Sequence, residues 1–421
     1  MQGVQRFRCL AGCSQQLLGS WTARGGQQRQ ERRYHGRREQ QRPSWHKLAP
    51  GGLALSLPFF SKKEEYVRNE PMPKRSEEER ELNRLAIPWI IRRAADIPPV
   101  RITRTIETEE GAKSKLRLRL YQYQSCPFCS KLRAFLDYYG FSYEVVEVNS
   151  VRRKEMAWSK ESKKVPCLVI LNLNEEEAIQ IPDSTFQITI LRSLMEDFSL
   201  GIEGVLNMFP LLSETVETGK KNWRGKKKTK EVVRCDNKYY LMFLEAIKGQ
   251  TAIENRREER EWRIWVDNKF VHLISPNVYR TYGEALETFH WFSEFGDWPN
   301  NWGRLDNFLA IYIGAFAMYF ISGRLKKKHR LKDDVRESLF DGAREWMKGV
   351  GRKRRFMGGE RPNLADLGMY GMLTSFEGTA AFAEMMDAVG GLKGWFKAVR
   401  KAVEAKEGRR DLAAALDATP R

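Results

Sequence analysis

Acidic residues are missing from the start of the chain: no Asp or Glu precedes Glu31, while Arg6, Arg8, Arg24 and Arg29 already stand there. Such an acid-free stretch of Arg, Gln, Gly and Ser has little with which to build a core. Residues 1–50 therefore read as a disordered transit peptide for an organelle, mitochondrion or plastid. A nucleic-acid-binding arm is the alternative, but no compact basic run is interleaved with aromatics, and no nucleic-acid partner is expected. Cysteine and histidine are scarce, six and five in 421 residues, which excludes a secreted disulfide scaffold. A second Cys or His pair to complete a zinc site beside Cys126 and Cys129 is lacking, so no metal is expected. Long apolar runs are lacking too, since a bilayer needs about 20 residues. Gly-Gly-Leu-Ala-Leu-Ser-Leu-Pro-Phe-Phe at 51–60 is too short to span, although peripheral membrane contact through it stays open. The apolar run at 308–322 is also short and reads as a fully buried core helix, so no transmembrane helix is expected.

What is present is ample for folding. The formal net charge is +19, with 30 % charged and 11 % aromatic residues, a mixture that suits folded domains. The length leaves room for two cores. Residues 51–113 hold Pro71, Pro73, Pro88, Pro98 and Pro99 among mixed charges and read as a linker with at most a short helix at 76–85.

Then the pattern changes. Leu116-Arg-Leu-Arg-Leu120 alternates as a strand does. Cys126-Pro-Phe-Cys129 follows, then a helix with Leu132, Phe135, Leu136 and Tyr139 on one face and Gly140 as its stop. Residues 141–148 form a second strand, 151–159 a short basic helix, 164–170 a third strand and 179–181 a fourth. Asp183-Ser184 then caps a helix reaching 198. This order is thioredoxin-like and defines an α/β domain over 114–200. Residues 201–232 read as a connector, with the basic cluster at 224–228 in a solvated loop. From 233 to 408 everything reads helical, at 236–248, 254–274, 282–295, 305–324, 333–350, 364–376 and 391–406, with 409–421 a tail. Trp262, Trp265 and Trp395 stand at helical spacing and read as core packing.

The chemistry centres on Cys126. A thiolate at a helix N-terminus is stabilised by free N–H groups and the positive end of the dipole, which supplies a nucleophile near neutral pH. Cys129 lies one turn inside. Pro127 fits the first turn, where its missing N–H costs nothing. Val165-Pro166 is expected to be cis, leaving nearby backbone groups to pair with a peptide-like ligand. Asp183 and Ser184 at the next helix start suit the γ-glutamyl end of glutathione: N–H groups for its carboxylate, the Asp183 side chain for its ammonium. A plain N-cap is the alternative. Asn363 and Asp366 are spaced as a capping box, a folding role.

The stretches around Tyr121-Gln-Tyr-Gln-Ser-Cys-Pro-Phe-Cys129, Val145-Val-Glu-Val-Asn149, Lys164-Val-Pro166, Val271-His-Leu-Ile-Ser-Pro-Asn277 and Pro362-Asn-Leu-Ala-Asp366 resemble the membrane-associated prostaglandin E synthases of type 2. The likeness spans roughly 116–396. It implies a glutaredoxin-like domain joined to an all-α domain of the glutathione-transferase C-terminal type. It also implies isomerisation of a prostaglandin H endoperoxide, a lipid substrate, to prostaglandin E, with glutathione and haem held in one cleft and a homodimer. By carry-over, Cys126 is the catalytic thiol, Tyr123 hydrogen-bonds it and Phe128 lines the pocket. His272, Ser275, Arg324 and Lys328 become candidates for the substrate or haem pocket. For these, packing of His272 and a solvated helix end for Arg324 and Lys328 are the alternatives. Two departures stand out: Cys167 replaces an aliphatic residue after the proline, and the family's N-terminal membrane-proximal segment is not recognisable. A glutathione-dependent thiol–disulfide oxidoreductase with Cys129 as resolving thiol, and a non-enzymatic haem–glutathione binder, are the rival readings.

Overall fold

The computed structural model describes residues 91–159, 163–172, 177–209, 211–221, 225, 227–235, 237–242 and 250–418. The transit peptide, the 51–60 segment and the short helix at 76–85 lie outside the described residues.

The first domain is built on a six-stranded sheet. Its strands are β1 (Ile91–Arg93), β2 (Arg104–Ile106), β3 (Leu118–Gln122), β4 (Tyr143–Glu147), β5 (Cys167–Ile170) and β6 (Glu177–Ile181), in the order β1-β6-β5-β3-β4-β2. Only β3 and β4 run parallel. That pair is joined through α2 (Pro127–Tyr139), as a parallel pair requires a crossover. A short α1 (Glu109–Lys113) precedes β3, and α3 (Ser184–Leu194) and α4 (Gly201–Leu206) follow β6. Both faces of the sheet are covered, so its strands read as apolar runs. Leu118, Leu120, Leu168 and Ile170 face the helices and join the main core. Tyr121, Val146, Cys167 and Val169 face the other way, into a second cluster with Ile97, Met156 and Cys126.

The second domain is helical. A hairpin of β7 (Leu211–Lys221) and β8 (Lys227–Cys235) leads to it. Next, α5 (Gln250–Trp265), a π-helical turn (Val266–Phe270) and α6 (Val271–Val278) form one continuous run. After α7 (Tyr282–Phe295) and the single turn α8 (Trp298–Asn301) comes a second interrupted run of α9 (Arg304–Phe308), a π-helical turn (Leu309–Ile313) and α10 (Gly314–Lys328). Then follow α11 (Val335–Val350), α12 (Leu364–Thr374), α13 (Ala380–Ala388), α14 (Leu392–Glu404) and α15 (Arg409–Asp417). The expected tryptophan core is present: Trp346 meets Trp262, Trp265 and Trp395 at ring separations of 5.4, 6.4 and 5.3 Å. Asn363 and Asp366 form the expected reciprocal capping box, and Asp366 also accepts from the N–H groups of Met357 and Gly358 and the indole of Trp395.

The two domains meet where α12 lies on α2. A Cβ on Gly371 would fall 2.4 Å from the Cα of Lys131, so only glycine permits this approach. Two polar contacts reinforce the junction. Asp306 accepts from Asn149 at 3.0 Å and Arg152 at 2.5 Å. Asp267, in the first π turn, accepts from Lys131, Thr185 and Tyr239.

Several expectations are corrected. The segment read as linker supplies both edge strands, because residues 91–93 and 104–106 can add backbone hydrogen bonds to β6 and β4 despite their polar sequence. At 151–159 only a 3-10 turn, Lys154–Met156, forms. The connector holds α4 and the hairpin, and Lys227 and Lys228 begin a strand rather than lying in a loop. Residues 237–242 are turn and coil, not helix; 243–249 lie outside the described residues. The tail forms α15, anchored where the N–H of Gly408 donates to the carbonyl of Tyr138 at 3.0 Å. The largest correction concerns 308–322. It belongs to a 25-residue run, 304–328, with mean hydropathy 1.6 over its most apolar stretch, long and apolar enough by length and composition to cross a membrane. That stretch is 39 % buried. Leu305, Phe308, Tyr312, Phe316 and Phe320 form an exposed stripe along it rather than a buried core.

Candidate active site

The turn after β3 delivers Cys126 to the N-cap position of α2, in extended backbone, with Pro127 as the first helical residue. The N–H of Cys126 donates to the carbonyl of Tyr123 at 3.0 Å, and its own carbonyl accepts from Ser130 at 2.9 Å. Cys126 and Cys129 are both fully buried. Burial raises the Cys129 thiol well above its ordinary range, and its hydrogen bond to Cys126 raises it further. Tyr123 is buried in the same cluster, as is Val165. Phe128 is half-buried, with the Lys131 ammonium 5.7 Å from its ring centre.

The Val165–Pro166 peptide is cis, as expected. The carbonyl of Pro166 accepts from Gln187 at 3.0 Å, tying the cis bend to α3. At the start of that helix, Asp183 is the N-cap with φ at +68°, and its Oδ1 accepts from the N–H groups of Thr185 and Phe186. Ser184 is buried beside it. The other oxygen of Asp183 takes the Lys238 ammonium at 2.6 Å. Burial alone would raise the Asp183 carboxyl, but Lys238 outweighs it and holds the group below its usual range. Cys167 is pushed up to about 12 by burial, so it is a protonated core residue.

The remaining candidates form a separate group. His272 stacks on His329, with ring centres 4.3 Å apart and planes within 10°. Burial first, then the nearby charges of His329 and Lys328, push His272 down to about 3, so it is a neutral packed imidazole. Ser275 is buried on the same helix, while Arg324 and Lys328 are exposed near the end of α10. A cavity of about 360 Å³ opens nearby, lined by Pro276, Arg280, Tyr319, Phe320, Lys326 and Val335 among others. It lies within the helical domain, not at the Cys126 end of the sheet.

Sequence reasoning missed the polar groups behind the thiol. Lys131 and Asp267 form a buried ion pair at 2.7 Å, shared with Thr185 and Tyr239. Glu147 lies under the Cys126 turn with Gln122, Gln124 and Arg133. The signal was there: Lys131 falls on the buried side of an amphipathic helix, and Glu147 closes an otherwise apolar strand.

Comparison with known proteins agrees with this architecture. The glutaredoxin family model matches residues 118–172, from β3 to just beyond β5. Prostaglandin E synthase 2 of the zebrafish, Danio rerio, is 41 % identical over 291 residues, covering 69 % of this chain and 72 % of the relative. The Mus musculus protein of the same name is 42 % identical over 294 residues, covering 69 % and 71 %. The chain belongs to the prostaglandin E synthase 2 family. Its fold is a glutaredoxin-type α/β domain followed by a helical domain. A glutathione transferase family member from Pseudomonas fluorescens, solved with two glutathione bound, covers 71 % of this chain and 92 % of its own. Its identity is 13 % and its TM-score 0.31, too distant to bear on the chemistry.

Proposed function

We propose that the chain isomerises a prostaglandin H endoperoxide to prostaglandin E by thiol catalysis at Cys126, with glutathione as cofactor. The observation that carries this is Cys126 at the N-cap of α2, with Cys129 one turn inside the helix, in a chain of this family. The thiolate attacks one endoperoxide oxygen, forming an S–O bond as the O–O bond breaks, and the released alkoxide takes a proton. Loss of the proton on the carbon bearing the attacked oxygen then forms the ketone, breaks the S–O bond and returns the thiolate. No net oxidation or reduction occurs. Glutathione is supported by the backbone at the cis Val165–Pro166 bend and by Asp183, whose one oxygen caps the N–H groups of Thr185 and Phe186 while the other already takes an ammonium, that of Lys238.

The residues proposed for a haem pocket do not fit that group, because His272 is buried and stacked on His329 with ring centres 4.3 Å apart. The test is turnover of the endoperoxide by wild type and Cys126→Ser, with and without glutathione. E-type product lost in the variant supports the reading; equal turnover refutes it. Cys129→Ser separates this from dithiol reduction, since isomerisation should survive the change and reduction of a protein disulfide should not.

Two further readings belong to the chain's setting. Residues 1–50 are proposed to direct it to a mitochondrion or plastid, supported by the absence of acidic residues before Glu31 and checked by a fluorescent fusion of those residues. The exposed stripe on the 304–328 run, with Tyr282 edge-on to Phe316, is proposed to be covered by a second copy of the chain. Apolar patches of this kind mark contact surfaces. Sedimentation of wild type against Phe316→Asp checks it; an unchanged monomer, or vesicle binding through the stripe instead, counts against it.

A further inference from the structure

Beneath the turn that carries the thiol lies a buried carboxyl group with no part in the proposed chemistry. Glu147 ends β4, directly beside Gln122 at the end of β3. One Glu147 oxygen accepts the backbone N–H of Gln124 at 2.7 Å, and the other accepts the Gln122 amide at 3.1 Å. Gln122 also donates to the side-chain oxygen of Gln124 at 2.7 Å. From the other side Arg133, on α2, donates to the oxygen of Gln122, and at 2.8 Å to both the carbonyl of Gln124 and the hydroxyl of Ser130. Glu147 and Arg133 are each 7 % exposed and Gln122 not at all.

The polarity of this chain is fixed. Arg133 has only donors, so Gln122 must turn its oxygen to it and its N–H groups toward Glu147. Glu147 must then accept on both oxygens. A carboxylate accepts both in full; a carboxylic acid presents a weaker hydroxyl oxygen, carrying its own proton, to one of the two donors. We propose that Glu147 is a positioning residue of the thiol site: as a carboxylate it holds the turn at Tyr123–Ser125, and with it the N-cap placement of Cys126, and on protonation it releases that hold. The charged and polar groups facing it are Gln122 from β3, Gln124 from the turn, Arg133 from α2 and Arg104 from β2. Burial pushes Glu147 up to about 7, against the pull of those neighbours, so the change falls near neutral pH.

The inference rests on Cys126 being the reactive thiol, and its test separates the two. In the full chain, the rate of Cys126 alkylation by iodoacetamide is followed from pH 5 to 9 by mass spectrometry of the peptide that carries it. Wild type should show a step near neutrality besides the thiol's own ionisation. Glu147→Gln should lose that step, and Glu147→Asp, still ionisable, should keep one. Should Glu147→Gln fail to fold, Gln122→Ala replaces it. Loss of one hydrogen bond to the carboxylate should move the step up by about one pH unit. A step that persists in Glu147→Gln, or stays fixed in Gln122→Ala, overturns the role of Glu147. Failure of Cys126 to react at any pH overturns instead the thiol reading beneath it.

Discussion

The ion pair between Lys131 and Asp267 is the part of the domain junction whose energetics can be worked most fully. Both side chains are buried, at 6 % and 9 % exposure. The Lys131 ammonium has Thr185 and both oxygens of Asp267 as acceptors, while Asp267 also receives the hydroxyls of Thr185 and Tyr239. Burial pulls the Lys131 pKa down, and the Asp267 charge opposes this. Removing the two partners should therefore not cost the same. Asp267→Leu leaves a buried ammonium with little but Thr185, a loss of about 3–5 kcal/mol. Lys131→Met leaves a carboxylate still holding two hydroxyl donors, and about 2 kcal/mol is expected, near the cost of one charged hydrogen bond. The double variant Lys131→Met with Asp267→Leu buries no charge at all. It should lie within about 2 kcal/mol of wild type, well above the sum of the single losses. Urea unfolding at pH 7, followed by tryptophan fluorescence, reads all four proteins. Additive losses, or Lys131→Met being the worse single change, would refute the argument that desolvation of an unpaired ammonium dominates.

The other predictions are simpler. Gly371→Val should force α12 off α2, costing about 1–3 kcal/mol of stability, visible as a lower melting temperature; an unchanged value would mean the two helices yield freely. His272 has its folded pKa lowered to about 3, so its contribution is present above its unfolded value and lost as pH falls below about 6.5. Relative to His272→Phe, wild type should lose about 1.4 kcal/mol per pH unit in that range, measured as the difference between urea midpoints. Glu147 and Asp366, raised to about 7 and about 6, have the opposite sign: their contribution is full below about 4 and lost as pH rises through those values. Wild type alone should therefore show a flatter profile than His272→Phe. Lys238→Ala frees the Asp183 carboxylate and should lower the KM for glutathione; a higher KM would show that Lys238 helps to hold the ligand.

Much of the first domain was legible because its signals are local. The Cys126 N-cap, the Gly140 stop at φ +72°, the cis Val165–Pro166 bond and the Asp183 cap each depend on one or two residues and their neighbours. Helix limits at 282–295 were legible for the same reason, with Thr281 capping the start. What was hidden depends on distant partners. The edge strands at 91–93 and 104–106 carry Arg and Thr and have no apolar alternation to announce them; they exist because β6 and β4 offer unpaired backbone. The apolar run at 308–322 reads as core in the sequence because composition records apolarity but not which way it points. Lys131, Asp267 and Glu147 read as ordinary charges until folding brings them to partners as far as 136 positions away.

Those edge strands also bear on how the domain can be cut and handled. The inner four strands would by themselves present two raw borders, one on β6 and one on β4, each able to recruit strands from other molecules. The chain closes both with a single passage of its own preceding segment, three residues at each side. A fragment beginning at residue 114, the apparent boundary from composition, would keep every thiol-site residue and yet lose both selvedges. It should clump where a fragment beginning before Ile91 stays dispersed.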